Sequence, residues 1–225
     1  MLQKSGRRNP FRTLGIGTRD VVDRAVAIAL LAVLAPLLAV LVLAVLVTSG
    51  RPVFFIQNRV GRDGVVFRMF KFRTMVNDAV RLGQTMKLTD DPFGIVDNDP
   101  RITRVGRLLR RTSLDELPQL INVARGDMRL VGPRPDVPEQ AVNYTAADAR
   151  RLEVKPGITG WAQVNGRDDL PWPERFKLDA WYVDNQSIGL DARIVWMTFA
   201  QIGRDEPVMI EDDHNIDRLR AAAGG

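Results

Sequence analysis

The sequence predicts an α/β domain, mostly helical with a small antiparallel sheet or hairpin, resting on a membrane through a helix-break-helix element. Three observations carry this expectation. Residues 25–47 form an unbroken apolar, uncharged run with Pro36 near its middle. Two short β-type runs, 53–56 and 65–67, stand either side of a turn bounded by Gly61 and Gly64. Downstream of the second run, most of the chain places apolar residues at helical spacing between loops rich in Pro and Gly.

The apolar run comes first. As a helix its 23 residues would be roughly 35 Å long, enough for a hydrocarbon core of about 30 Å. A cleaved secretory signal has a shorter apolar core ending in small residues, whereas this run ends Val47-Thr48-Ser49. A buried soluble helix would show a polar face, and this one has none. Pro36 cannot donate to the carbonyl of Ala32, and its ring crowds that turn, so the helix must break or kink there. Both flanks are basic. Lys4, Arg7, Arg8, Arg12, Arg19 and Arg24 precede the run, and Arg51, Arg59, Arg62, Arg68, Lys71 and Arg73 come after it. Positive flanks stay in the cytoplasm, so a helix that enters, breaks at Pro36 and returns to the same face is favoured over a full span. The chain accordingly divides into a basic segment 1–19, a re-entrant membrane helix 20–50, a catalytic domain 51–205 and a polar tail 206–225.

After the hairpin, 74–83 is a short helix and 90–100, rich in Asp, Pro and Gly, is a loop. Residues 102–111 resume a helix with Val105, Leu108 and Leu109 opposite arginines. A further helix covers 115–124 and stops near Gly126. Residues 138–152 are helical, and 156–166 form a glycine-punctuated loop. Two late helices cover 172–183 and 190–202. In the second, Ile194, Val195, Trp196, Met197 and Phe199 crowd together, which suits either the core or a membrane interface.

Composition removes several chemistries. The chain has no cysteine, so disulfides and thiolate metal sites are excluded. Its one histidine, His214, lies in the polar tail beside Asp212 and Asp213, which argues against a histidine-based zinc site or a Ser-His-Asp triad. A net charge of +5 suits an anionic membrane surface, a phosphate-bearing substrate or a nucleic acid, without choosing among them. Nucleic acid is the weakest of these, because no basic face interleaves aromatics.

The densest polar cluster is Arg110-Arg111-Thr112-Ser113-Leu114-Asp115-Glu116-Leu117-Pro118-Gln119. Pro118 fits the first turn of a helix and so puts Asp115 and Glu116 at its N-terminus. Alternatively Ser113 caps the helix with Glu116 three residues on. In either register the helix dipole favours ionised carboxylates. Such a carboxylate serves as a nucleophile or a Mg²⁺ ligand, although a plain capping arrangement has the same appearance. Lys71 and Arg73 share one face if extended. Arg134 is pinned between Pro133 and Pro135, a pose suited to bidentate phosphate binding. The loop at 155–163 presents Thr159 and Gln163 beside Trp161, fit for close approach to a ligand. Surface charge, a rigid turn and a packing tryptophan are the bland counterparts of these three features.

Taken together, Lys71-Phe72-Arg73-Thr74-Met75, residues 110–119, Gly126-Asp127-Met128, 131–135, 155–167 and Trp181-Tyr182-Val183-Asp184-Asn185 resemble the bacterial sugar transferase family, the monotopic phosphoglycosyl transferases. The resemblance spans about residues 19–199. It implies a re-entrant membrane helix, interfacial amphipathic helices and a catalytic domain on the cytoplasmic face of the bacterial inner membrane. It also implies Mg²⁺, a UDP-sugar donor and a polyprenyl phosphate acceptor, and it is compatible with a homo-oligomer. By the same resemblance Asp115 is the nucleophile that forms a phosphosugar-aspartyl intermediate. Glu116 is its dyad partner, both help to hold Mg²⁺, and Arg110, Arg111 and Arg134 stand near phosphate. Lys71, Arg73, Pro133, Pro135, Thr159 and Gln163 complete the expected substrate-binding set, with Lys71 and Arg73 less firmly placed. Two departures stand out. Ala35 precedes the membrane proline where members often have Ser, and Gln186 replaces a common Trp. The chain lacks the extra N-terminal helices of larger members and resembles the small form. A non-catalytic, membrane-anchored nucleotide-sugar binder or scaffold is the competing reading; the intact Asp115-Glu116 pair argues against it, and UMP release would separate the two.

Overall fold

The computed structural model describes residues 11–77, 79, 81–82, 99–166 and 170–201. Of the expected 74–83 helix, residues 74–77 are not helical, with Met75 bridging Ile102, whereas 79, 81 and 82 are helical. Residues 78, 80 and 83, the 90–98 part of the expected loop, His214 and the polar tail lie outside the described residues. The apolar run forms two helices, α1 (Phe11–Val33) and α2 (Ala35–Ser49), bent by 66° at Leu34. Pro36 thus lies in the first turn of α2 rather than in a helix interior. A first-turn proline lacks only an N–H that would have had no partner, so the break sits just upstream of it. Leu34 still donates to Leu30 and accepts from Leu38, each at 2.8 Å. No single described helix is long and apolar enough to cross a membrane; the bent pair meets that measure only when taken together.

Both helices bury one narrow face against the rest of the protein. Ala27 and Val45 are fully buried, while Ile28, Val33, Val40, Leu43 and Val47 remain more than half exposed. The polar start of α1 is pinned down. Asp20 pairs with Lys155 at 2.5 Å and Asp23 with Arg129 at 2.7 Å. Arg24 donates to the carbonyl of Arg125 at 3.1 Å. Charge stops at Arg24, and the apolar run begins at Ala25.

The expected hairpin is present. β1 (Phe54–Val60) and β2 (Val66–Phe72) pair antiparallel with Phe54 opposite Phe72 and Val60 opposite Val66. The turn closes through Gly64, whose φ of +79° needs glycine. α3 (Arg104–Arg111) comes next, with the Thr103 hydroxyl accepting from the Gly106 N–H at 2.9 Å. It leads into a 3₁₀ turn (Leu114–Glu116) and α4 (Gln119–Arg125), the latter closed by left-handed Gly126. Two expectations change here. The 138–152 helix is split into α5 (Pro138–Ala141) and a 3₁₀ segment (Asp148–Glu153). The Asp148 carboxylate takes the Thr145 N–H and hydroxyl and restarts the chain in a new direction. The 156–166 loop contains β4 (Gly157–Thr159), parallel to β3 (Arg129–Val131), and then α6 (Trp161–Val164). Strands of three residues leave no periodicity to read. α7 (Trp172–Asn185) and α8 (Ile188–Gln201) match the two late helices. The described residues are therefore mostly helical, with one antiparallel hairpin and one short parallel pair.

Three apolar clusters hold these parts. Leu41 and Val45 of α2 meet Phe72 and Leu109. Ala27 of α1 meets Met69, Leu120, Val123 and Met128. Val131, Trp161, Val164, Tyr182, Ile194 and Met197 form the third. On α8, Ile194 and Met197 are core, whereas Ile188, Trp196 and Phe199 are exposed on other sides.

Candidate active site

The Asp115-Glu116 pair lies in the 3₁₀ turn, not in the α-helix itself. Pro118 has no N–H to give Leu114, so the first turn closes with Glu116 donating to Ser113 and Leu117 to Leu114, both at 3.3 Å. Ser113 is left-handed at φ +56° and its hydroxyl caps nothing, so neither sequence register describes the turn. α4 then carries the turn on its fully buried Asn122. The Asn122 side chain accepts from the Phe70 N–H at 3.1 Å and donates to the Arg68 carbonyl at 2.7 Å, clamping α4 to β2. Sequence reasoning missed Asn122; an amide between Ile121 and Val123 is the signal that could have marked it.

The two carboxylates differ. Glu116 is gripped by Lys71 Nζ at 2.7 Å and by both Arg134 nitrogens, at 2.7 and 3.3 Å. Burial pushes its carboxyl up, but Arg134 and Lys71 outweigh this and hold it well below the usual carboxylate range. Burial, then Arg134, pulls Lys71 below the usual lysine value. Asp115 is buried and, among the described residues, has no hydrogen-bond or ion-pair partner. Burial and the neighbouring Glu116 raise its carboxyl above its ordinary value, with Lys71, Arg110 and Arg134 pulling the other way. The dyad is thus one neutralised carboxylate and one left available inside a ring of cations.

Arg134 owes its pose to four anchored carbonyls in a row. Pro133 O accepts from the Gly157 N–H at 3.0 Å, and Asp136 O from the Val60 N–H at 2.9 Å. Between them, Arg134 O accepts from Arg151 at 2.7 Å and Pro135 O from Arg59 at 3.0 Å. Gly132 and Gly157 allow this: a Cβ on Gly132 would come 2.5 Å from the Lys155 carbonyl. Arg151 is itself buried between Asp136 and Asp179, and pairs with Asp179 at 2.7 Å. Arg59, Arg151, Asp136 and Asp179 were not singled out from sequence, because their partners lie far along the chain.

The expected site residues divide. Asp115, Glu116, Lys71 and Arg134 come together, with Arg110 close enough to act on Asp115. Arg110 Nε also donates to the Thr74 hydroxyl at 2.9 Å. Arg111 is exposed at the end of α3. Pro133 and Pro135 are buried supports. Thr159 and Gln163 stand behind the Arg134 loop: Thr159 bonds Thr198 at 2.7 Å, its carbonyl holds the Gly132 N–H at 2.9 Å, and Gln163 donates to the Ile158 carbonyl at 3.1 Å. The Arg73 guanidinium goes elsewhere, onto the end of α2.

Among the described residues no three ligating side chains cluster as a metal site. A Mg²⁺ ion is usually held by one or two carboxylates, with waters and substrate phosphates completing the shell. Asp115, buried and unpartnered, with Glu116 beside it, fits that donor set.

Residues 16–205 match the pattern of the bacterial sugar transferase family. An uncharacterised sugar transferase, EpsL, of Bacillus subtilis (strain 168) is 47% identical over 153 residues, 68% of this chain and 71% of the relative. The exopolysaccharide production protein ExoY of Rhizobium meliloti (strain 1021) is 36% identical over 208 residues, 89% of this chain and 90% of the relative. The undecaprenyl-phosphate galactose phosphotransferase of Salmonella typhimurium is 43% identical over 158 residues, 67% of this chain but only 33% of that longer relative.

Proposed function

This chain belongs to the bacterial sugar transferase family, and from that premise we propose that it moves a sugar-1-phosphate from a UDP-sugar to polyprenyl phosphate, with release of UMP. The observation that carries this reading is the buried, unpartnered Asp115 facing Lys71, Arg110 and Arg134. The name of the Salmonella relative, an undecaprenyl-phosphate galactose phosphotransferase, supports the reaction class. That of ExoY supports a role in starting exopolysaccharide assembly.

In this mechanism an Asp115 carboxylate oxygen attacks the β-phosphorus of the UDP-sugar. The bond from that phosphorus to the bridging oxygen breaks, and UMP leaves with the oxygen. An oxygen of polyprenyl phosphate then attacks the same phosphorus and Asp115 departs as a free carboxylate. Both leaving groups are stable anions, so no general acid is required. Lys71, Arg110 and Arg134 lower the repulsion between an anionic attacker and the diphosphate. Glu116 keeps Lys71 and Arg134 in place. Mg²⁺, bound by Asp115 and Glu116 with the phosphates, would supply further charge neutralisation. Covalent capture lets the donor and lipid bind in turn.

The bent α1–α2 pair, with basic residues on both flanks, serves as a re-entrant anchor that keeps both ends on the cytoplasmic face of the inner membrane. The exposed Ile188, Trp196 and Phe199 of α8 rest in the membrane interface. The test is a panel of UDP-sugars in detergent with polyprenyl phosphate, read as UMP release and lipid-linked product. UMP from at least one sugar, with ping-pong kinetics and labelled sugar phosphate retained on the protein without lipid, is the expected result. Sequential kinetics with no labelled protein would replace the aspartyl intermediate by direct lipid attack, and no UMP from any sugar would leave a binder or scaffold.

A further inference from the structure

Four consecutive residues, 71–74, tie three parts of the molecule together. Lys71 donates to Glu116 at 2.7 Å. Phe72 is buried against Leu41 and Val45 of α2. The Thr74 hydroxyl accepts from Arg110 at 2.9 Å, and its carbonyl lies so close to Gly106 that a Cβ there would come within 2.0 Å. Between them, the buried Arg73 guanidinium reaches the carbonyls at and just beyond the end of α2. It donates to Gly50 O at 2.7 Å, to Arg51 O at 2.9 Å and to Ser49 O, and it also donates to Asn77 Oδ1 at 2.5 Å. The final carbonyls of a helix lack intrahelical partners and carry its partial negative charge, so a guanidinium there satisfies and neutralises them together. The planar fork of arginine spreads its donors over separated carbonyls, whereas the three donors of a lysine ammonium radiate from a single nitrogen.

We propose that Arg73 is a positioning residue for the acceptor step: it fixes the height of the Lys71–Glu116 pair, and with it Asp115, relative to the end of α2. The inference rests on the transfer reaction proposed above. The nucleotide-sugar arrives from solution, so its capture by Asp115 does not depend on that height. The polyprenyl phosphate is confined to the bilayer and can lift its phosphate only a short way. Loosening the Arg73 clamp therefore slows the second half-reaction and spares the first.

The experiment uses the full chain in lipid nanodiscs, with Arg73→Met and Arg73→Lys. Three quantities are read: formation of the labelled sugar-phosphate adduct without lipid, transfer to a long-chain polyprenyl phosphate in the bilayer, and transfer to a short, water-soluble isoprenyl phosphate. In Arg73→Met, adduct formation and transfer to the soluble acceptor should stay within about twofold. Transfer to the embedded acceptor should fall about tenfold or more, toward the roughly hundredfold that a 1 Å misplacement can cost. Arg73→Lys should show the same selectivity to a smaller degree, and it decides the matter should Arg73→Met fail to fold. Equal losses with both acceptors, lost adduct formation in Arg73→Lys, or unchanged transfer to the embedded acceptor would overturn the proposal. A wild-type protein that releases no UMP would instead remove the transfer reaction on which it stands.

Discussion

Asp115 and Glu116 are neighbours with opposite electrostatic surroundings, and the difference yields two predictions. The Asp115 carboxyl is raised by burial and by Glu116. A raised carboxyl contributes stability that is fully present below its unfolded value near 3.8 and is lost as pH rises through the folded value. At neutral pH the ionised side chain is therefore a cost to the fold. Asp115→Asn should abolish UMP release and lipid product yet raise the melting temperature at pH 7.5. The gain should vanish near pH 4, as thermal unfolding in detergent would record. Glu116 behaves inversely. Its depressed carboxyl contributes stability above its unfolded value near 4.5 that is lost as pH falls toward the folded value. Lys71→Met removes part of that depression, so stability should depend less steeply on pH below about 4.5 than in the wild type. Glu116→Gln should cut turnover severely while leaving a trace, because in the proposed mechanism Glu116 holds the cations and Asp115 attacks.

At the scale of elements, prolines and glycines decide where helices stop and how closely they approach. Pro36→Ala supplies an N–H that the Ala32 carbonyl can accept once α1 and α2 straighten into one helix. A growing share of molecules should then span the bilayer, with Ala35 easing the shift, since no side-chain hydroxyl supports the break. Glycine at 106 is required for a different reason. A Cβ would sit 2.0 Å from the Thr74 carbonyl oxygen, which is backbone and cannot swing away. Gly106→Ala should cost about 1–3 kcal/mol by overpacking and should push α3, with Arg110, away from β2. Chemical denaturation and UMP release measured on the same preparation would show both effects. Pro118 had a similar influence: without its N–H the dyad turn closes as 3₁₀, which neither register read from sequence described.

For the whole molecule, Arg151 joins parts that are remote in sequence. It holds the Arg134 carbonyl, pairs with Asp136 and Asp179, and stacks on Phe176 of α7. Arg151→Met would leave two buried carboxylates without their cation, at a cost of about 3–5 kcal/mol. Burial and Asp136 already raise the Asp179 carboxyl to about 6, so the loss should be greatest above pH 6 and smaller near pH 4, where Asp179 takes up a proton. Topology is tested on the same scale. The chain has no cysteine, so single cysteines at Ser5 and after Gly225 can each be probed alone in intact cells. Shielding of both from an impermeant thiol reagent is expected, and labelling of the N-terminal one alone would mean a full span. The sequence by itself determined the apolar pair and its break, the hairpin, the late helices and the carboxylate dyad. Each of these is written in local periodicity, in a proline or in adjacent residues. Only tertiary structure decided which cations reach the dyad. Lys71 and Arg73 stand two residues apart, yet one grips Glu116 and the other the end of α2, because β2 ends at Phe72 and alternation ends with it. The anchoring of Arg134 by Arg59 and Arg151 was equally invisible, since long-range hydrogen bonds leave no mark on local spacing.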